Sequence, residues 1–172
     1  QYHPQLVAEF GGEVNGPLAD YVEQIGYNMA EQSGNSRSSF NVSLLDSSVN
    51  NAFAVPGGYI YTTRQLVALM DNEAELAAVL GHEVGHVVAR HSARGQARAQ
   101  RNSILGGLGA ILSGVLLGDS QVGNLLTRGA ASAPQLLTLA YSREQEEEAD
   151  RLGIDYISRA SYDPQAMADL LE

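Results

Sequence analysis

Apolar positions in this chain fall into stretches of differing period, and the period predicts the elements. Leu18, Tyr21, Val22, Ile25, Met29 and Ala30 recur at three- and four-residue intervals up to Ser33-Gly34-Asn35, which predicts a helix over 17–32 covering one side of a core. From Phe40 the period drops to two. Phe40, Val42 and Leu44 alternate with Asn41, Ser43 and Leu45 and stop at Asp46-Ser47-Ser48, a first strand. Residues 51–55 and 59–63 are strand-prone runs around Pro56-Gly57-Gly58, a turn signal, and together predict a β-hairpin. Residues 64–70 begin a short helix that Asp71-Asn72 ends. The first sixteen residues, with Pro4, Gly11, Gly12 and Gly16, show only a short amphipathic piece and a turn.

Beyond Asn72 the apolar residues Leu76, Ala77, Val79, Leu80, Val84, Val87 and Val88 surround most of a helix, as expected of one buried in a core. Asn72 can cap it, and Glu75, three residues on, completes a capping box. Arg90, His91 and Arg94 place positive charge in the last turn and Gly95 is a plausible residue just past the end, so this helix is predicted over 73–94. A last long helix is predicted from Pro134, with Leu136, Leu137, Leu139, Ala140, Ala149, Leu152, Ile154, Tyr156 and Ile157 facing the core. Asp163-Pro164 reads as the cap and first residue of a short terminal helix. The glycine-rich apolar run 104–117 is shorter than the roughly 20 residues a spanning helix needs. A buried or partner-contacting helix is favoured there over membrane association, and 119–132 reads as a loop. The fold class is α+β: mainly helical, with a small antiparallel sheet.

Length and charge narrow the function. A chain of 172 residues suits a single domain over 1–172 that can bury a sizeable core. A net charge of −10 argues against nucleic acid and anionic membrane surfaces as partners. There is no cysteine, so a metal site must be built from His, Asp and Glu. The chain opens at Gln1 with no basic and apolar leader, which implies a processed form or a piece of a longer protein.

The motif helix carries His82-Glu83-Val84-Gly85-His86, the H-E-x-x-H pattern. Residues four apart share a helix face, so both imidazoles can aim at one point. Histidine–glutamate pairs are common on helices, but these three groups lie on an otherwise apolar helix and would be costly there without a partner. A zinc ion, one per chain, supplies it. Glu83 is then placed to act on a water at the metal instead of coordinating. The site needs a third ligand, and the acidic run from Glu144 to Asp150 offers carboxylates on a second helix. An isolated acidic run is ordinarily a solvated face. Within it Glu146 and Asp150 are four apart, so one can ligate while the other hydrogen-bonds a ligating imidazole from behind. Glu147 and Glu148 lie about 100° and 200° further round and should face other structure or solvent. His91, about 2.5 turns beyond His82, points away from the metal on this helix, and a helix-end charge or a hydrogen bond is its expected role.

The segments Asn-Ala-Phe-Ala-x-Pro-Gly-Gly-Tyr-Ile at 51–60, Gly-His-Glu-Val-Gly-His at 81–86, Ala-Arg-His-Ser at 89–92 and Ser-Arg-Glu-x-Glu-x-Glu-Ala-Asp-Arg-x-Gly at 142–153 resemble the zinc metallopeptidases of the HtpX, BepA and CAAX-prenyl-protease type. The likeness covers roughly residues 40–165, in the family order. It implies a zincin-like, gluzincin domain in which His82, His86 and Glu146 hold zinc, and in which Glu146 and Asp150 form the Glu-x-x-x-Asp motif, Asp150 behind His82. It also implies a soluble, periplasmic place in the bacterial cell envelope. The transmembrane helices of some branches and the helical-repeat segment of others are absent from this chain.

The expected function is a zinc endopeptidase acting on unfolded or misassembled proteins, with Glu83 as the base. Asn51, Ala52, Phe53 and Ala54 form the candidate sheet edge that binds an extended substrate. The oxyanion donor is left open among Tyr141, Arg143 and residues of 103–133. The alternative is a latent zinc-binding, chaperone-like module, against which the presence of Glu83 argues, since binding alone needs no base. Polypeptide is the expected partner. Peripheral membrane contact and oligomeric state are left open.

Overall fold

The computed structural model describes residues 3–95, 97 and 141–169. Contacts divide the chain into two units, residues 1–92 with 141–172 and residues 93–140. Expectations for 104–117, for 119–132 and for the core candidates at 136–140 lie outside the described residues. The element order is α1 His3–Glu9, α2 Pro17–Gln32, a 3-10 turn Arg37–Ser39, β1 Asn41–Leu45, β2 Ala52–Val55, β3 Tyr59–Thr63, α3 Arg64–Leu69, α4 Glu73–Val88, α5 Arg143–Arg159 and α6 Gln165–Asp169.

The fold is the mainly helical α+β class expected, with a mixed sheet. Strand order is β1-β3-β2; β2 and β3 form the antiparallel hairpin, and β1 joins β3 in parallel, Val42 opposite Ile60. Gly57 and Gly58 close the hairpin at φ of 101° and 82°, which side chains adopt only with strain. A Cβ on Gly58 would also fall 2.1 Å from the Ser39 carbonyl oxygen. Alternation sorts side chains to two faces. Val42, Leu44, Ala54 and Ile60 join the main core with α2, α4, α5 and α6, while Leu45, Phe53 and Tyr61 face away. That second face is covered by α1, which buries Leu6 against Leu45 and Tyr61 and stacks His3 on Tyr59 and Tyr61. β1 is therefore buried on both faces, and the polar alternation read in its sequence does not mark a solvated side.

Three expectations need correction. On α2 the buried stripe is Ala19, Val22, Ile25, Gly26, Met29 and Ala30, whereas Leu18 and Tyr21 are exposed; Tyr21 instead donates its hydroxyl to Glu73 at 2.6 Å. α4 ends at Val88, not at 94, because Arg90 takes a φ of 54° and turns the chain before helix resumes at 91–95. α5 starts at Arg143, not Pro134, because Ser142 is extended and Gln145 folds back onto its amide at 3.0 Å; Ile154, expected in the core, is exposed. The caps of α4 and α6 are as read: Asn72 Oδ1 accepts the Glu75 amide, and Asp163 accepts from Gln165. Glu75 reaches back one residue further than a standard box, to the Asp71 amide at 2.9 Å.

Candidate metal centre

Helices α4 and α5 meet through their smallest residues. A Cβ on Gly85 would lie 3.0 Å from the Ala149 carbonyl oxygen, one on Gly81 would lie 3.4 Å from that of Gly153, and one on Gly153 3.0 Å from the His82 amide nitrogen. With glycines on both helices bringing backbone close to backbone at the crossing, side chains flanking it on one helix reach those on the other. His82 and His86 stand on α4 beside this seam and Glu146 and Asp150 on α5, each pair four apart.

The result is a convergence of three ligand atoms. His82 Nε2 lies 2.8 Å from His86 Nε2, and Glu146 Oε2 lies 3.3 and 3.7 Å from the two nitrogens. These three residues form a group whose ligand atoms all fall within 4.8 Å of one another. His82 Nδ1 faces Asp150 Oδ1 at 2.8 Å. A carboxylate can only accept, so this contact places a proton on His82 Nδ1, and in the tautomer with that single ring proton Nε2 is a bare lone pair. Burial above all, with any positive charge on the neighbouring His82 and His91 rings adding to it, pushes the pKa of His86 down to about 3 and favours its neutral form. Two imidazole nitrogens and a carboxylate around one point are the donor set that suits zinc among cysteine-free sites. The residues fit a metal.

Glu83 sits on the same helix, 7% exposed. Burial pushes its carboxyl up to about 8, with the Glu146 charge adding to the rise and a hydrogen bond from the Ala54 backbone opposing it. That bond ties Glu83 to β2, which among the described residues is an edge strand of the sheet. Asn51 and Thr63 exchange hydrogen bonds across the hairpin, so by antiparallel alternation Phe53 and Val55 pair with β3 while the backbone groups of Ala52 and Ala54 point outward. Ala54 is buried and its amide serves Glu83, which leaves Ala52 as the more open of the two; Asn51 and Phe53 flank them, half-buried.

Of the remaining residues considered, Glu147 pairs with exposed Arg143 at 3.0 Å, on the solvent side of α5. Arg143 therefore stands away from the ligand point. Tyr141 lies flat on the His86 ring, centroids 3.9 Å apart, its hydroxyl 2.9 Å from Ser92 Oγ. Glu148, part exposed, faces other structure in the form of His91, and His91 reaches His86. Sequence reasoning placed His91 away from the site because it assumed a continuous helix, and no cap residue at Arg90 signals the break.

A histidine pair on one helix completed by a carboxylate of another is a metallopeptidase arrangement, and it is the pairing, not either helix alone, that defines the class. The chain belongs to peptidase family M48, whose family model matches residues 18–171. It is 34% identical over 163 residues to the beta-barrel assembly-enhancing protease of Escherichia coli O157:H7, an alignment covering 92% of this chain and 33% of that protein. It is 35% identical over 158 residues to the protein of that name from Yersinia pestis, covering 90% and 32%. Against the mitochondrial metalloendopeptidase OMA1 of Schizosaccharomyces pombe, identity is 31% over 176 residues, covering 99% and 49%. The chain thus spans a third to a half of the length of these relatives. No helix among the described residues is long and apolar enough to cross a membrane.

Proposed function

We propose that residues 1–172 form the catalytic domain of a zinc endopeptidase, with His82, His86 and Glu146 holding the metal, Glu83 as general base and Asp150 orienting His82. The observation that carries this is the meeting of two imidazole nitrogens and a carboxylate oxygen beside a buried glutamate. Held by His82, His86 and Glu146, a zinc ion would supply Lewis-acid polarisation of a scissile carbonyl and acidify a bound water. The chain's own part is to place and move a proton. Glu83 accepts it from the attacking water and returns it to the leaving amine. Its high pKa reflects burial and the Glu146 charge, and a cation nearby draws it back toward the carboxylate form a base needs.

Substrate is placed at the free edge of β2, along Asn51, Ala52, Phe53 and Ala54. Main-chain hydrogen bonds to an edge tolerate many side chains, which suits a protease for unfolded or misassembled polypeptides. Two bacterial relatives carry the name beta-barrel assembly-enhancing protease, which supports a role beside protein assembly, and the bacterial cell envelope, in its periplasm, is the location proposed with it.

The test is metal content and casein cleavage by the purified chain. One zinc per chain and cleavage abolished by chelator are expected. A folded, zinc-loaded chain that leaves casein intact would favour the latent, chaperone-like module, and a chain that takes up no metal would sink the zinc reading altogether.

A further inference from the structure

His91 is fully buried, and peptide hydrolysis as set out above makes no use of it. Its ring stands between the inner ligand and the second helix. Nδ1 lies 2.8 Å from His86 Nδ1, and Nε2 lies 3.0 Å from Glu148 Oε2. The backbone is built to hold it there. The turn at Arg90 swings the residue back over the end of α4, and the His91 carbonyl accepts from Gln145 Nε2 at 3.0 Å, itself buried on α5.

We propose that His91 and Glu148 are positioning residues that fix the tautomer and aim of His86; this rests on the zinc reading of the site. The Glu148 carboxylate has no hydrogen to give, so its contact requires the proton of His91 on Nε2. In the tautomer proposed for His91 that is its single ring proton, which makes Nδ1 a bare acceptor. The short contact between the two Nδ1 atoms is then filled by a proton of His86, which leaves the His86 Nε2 lone pair directed at His82 and Glu146. Asp150 does the same for His82 in one hydrogen bond. The two imidazoles are thereby set by separate carboxylates, through one bond on the more open side and through two on the buried side. Tyr141, flat against His86, blocks rotation of the ring out of this plane. Without the acceptor at His91, His86 is free to adopt the other tautomer and donate Nε2–H to His82, and that proton has to leave before a metal enters.

The experiment compares wild type with His91→Leu, which removes the acceptor, and His91→Asn, whose side-chain oxygen can accept in place of Nδ1. Zinc affinity is read by chelator competition, with circular dichroism melting as a control for folding. His91→Leu is expected to weaken zinc roughly 10- to 100-fold, and His91→Asn to recover most of the loss. In 15N-labelled wild type loaded with zinc, His91 should be neutral and protonated on Nε2, with a 15N–15N coupling across its hydrogen bond to His86. A folded His91→Leu chain that binds zinc as tightly as wild type, or His91 protonated on Nδ1, would overturn the proposal. If His91→Leu does not fold, His91→Asn carries the affinity test against His86→Ala, which removes the ligand itself: zinc held between the levels of wild type and His86→Ala supports the proposal, and any other level overturns it. Should wild type take up no zinc, the metal reading falls separately, and the coupling in the metal-free chain still decides: its presence supports the His86–His91 bond, its absence removes it.

Discussion

Gly85 and Ala149 meet backbone to backbone: a Cβ on Gly85 would stand 3.0 Å from the Ala149 carbonyl oxygen and 3.2 Å from its Cα. Ligands on α4 and α5 converge only because the helices approach this closely. Gly85→Ala is expected to push them apart, lowering stability by about 1–3 kcal/mol and weakening metal binding. Gly81→Ala, whose nearest neighbour is 3.4 Å away, should be milder. Thermal melting and chelator competition on both variants check this, and equal effects would contradict the packing account.

Removing the base while keeping its shape should separate chemistry from binding. Glu83→Gln is expected to retain zinc and to lose about 10²- to 10⁴-fold in kcat. Metal content and single-turnover cleavage of a peptide are the measurements; chelator-sensitive turnover close to wild type would show that another group takes the proton.

The acidic residues of α5 should divide by position. Glu146→Gln is expected to lose stoichiometric zinc, Asp150→Asn to keep it with affinity down roughly 10- to 100-fold, and Glu147→Gln, which breaks only the exposed pair with Arg143, to change neither zinc nor activity. Dialysis against graded chelator followed by metal analysis decides it. An empty site in Glu147→Gln with a full one in Glu146→Gln would refute the helix register.

At the sheet edge, proline removes a backbone donor. Because the Ala54 amide already serves Glu83, Ala52→Pro is the cleaner probe of a substrate platform. A raised KM with zinc content and kcat retained is expected. Unchanged KM would move the platform elsewhere.

Acid stability should carry a signature of Glu73, which accepts hydroxyls from Tyr162 and Tyr21. These bonds, Tyr162 first, hold its carboxyl below the ordinary 4.5. A depressed folded pKa adds stability that is complete above the unfolded value and lost as pH falls through the folded one. Glu73→Gln should therefore flatten the loss of stability on acidification below 4.5, as followed by urea melts. A pH profile parallel to wild type would rule out that linkage.

What the sequence determined by itself was whatever depends on neighbours a few residues apart. His82 and His86 share a face because helical period dictates it, Asn72 and Glu75 cap because an oxygen and an amide three residues apart can meet, and Pro56-Gly57-Gly58 turns the hairpin because only such residues take those angles. Within the acidic run the four-residue spacing admits Glu146 with Asp150 and equally Glu144 with Glu148, and it is the resemblance to the metallopeptidases that points to the first pair. Tertiary structure decided what rests on distance. Leu18, Tyr21 and Ile154 look apolar and periodic but are exposed, since burial depends on which neighbour a face meets. The parallel joining of β1 to β3, and the cover that α1 lays over the outer face of the sheet, are pairings of residues far apart in the chain. Above all, the place of His91 turned on one dihedral at Arg90. With α4 running on, that ring points away from the metal; with the helix ended at Val88, it lies between His86 and Glu148, a contact between residues 57 positions apart that no local pattern encodes.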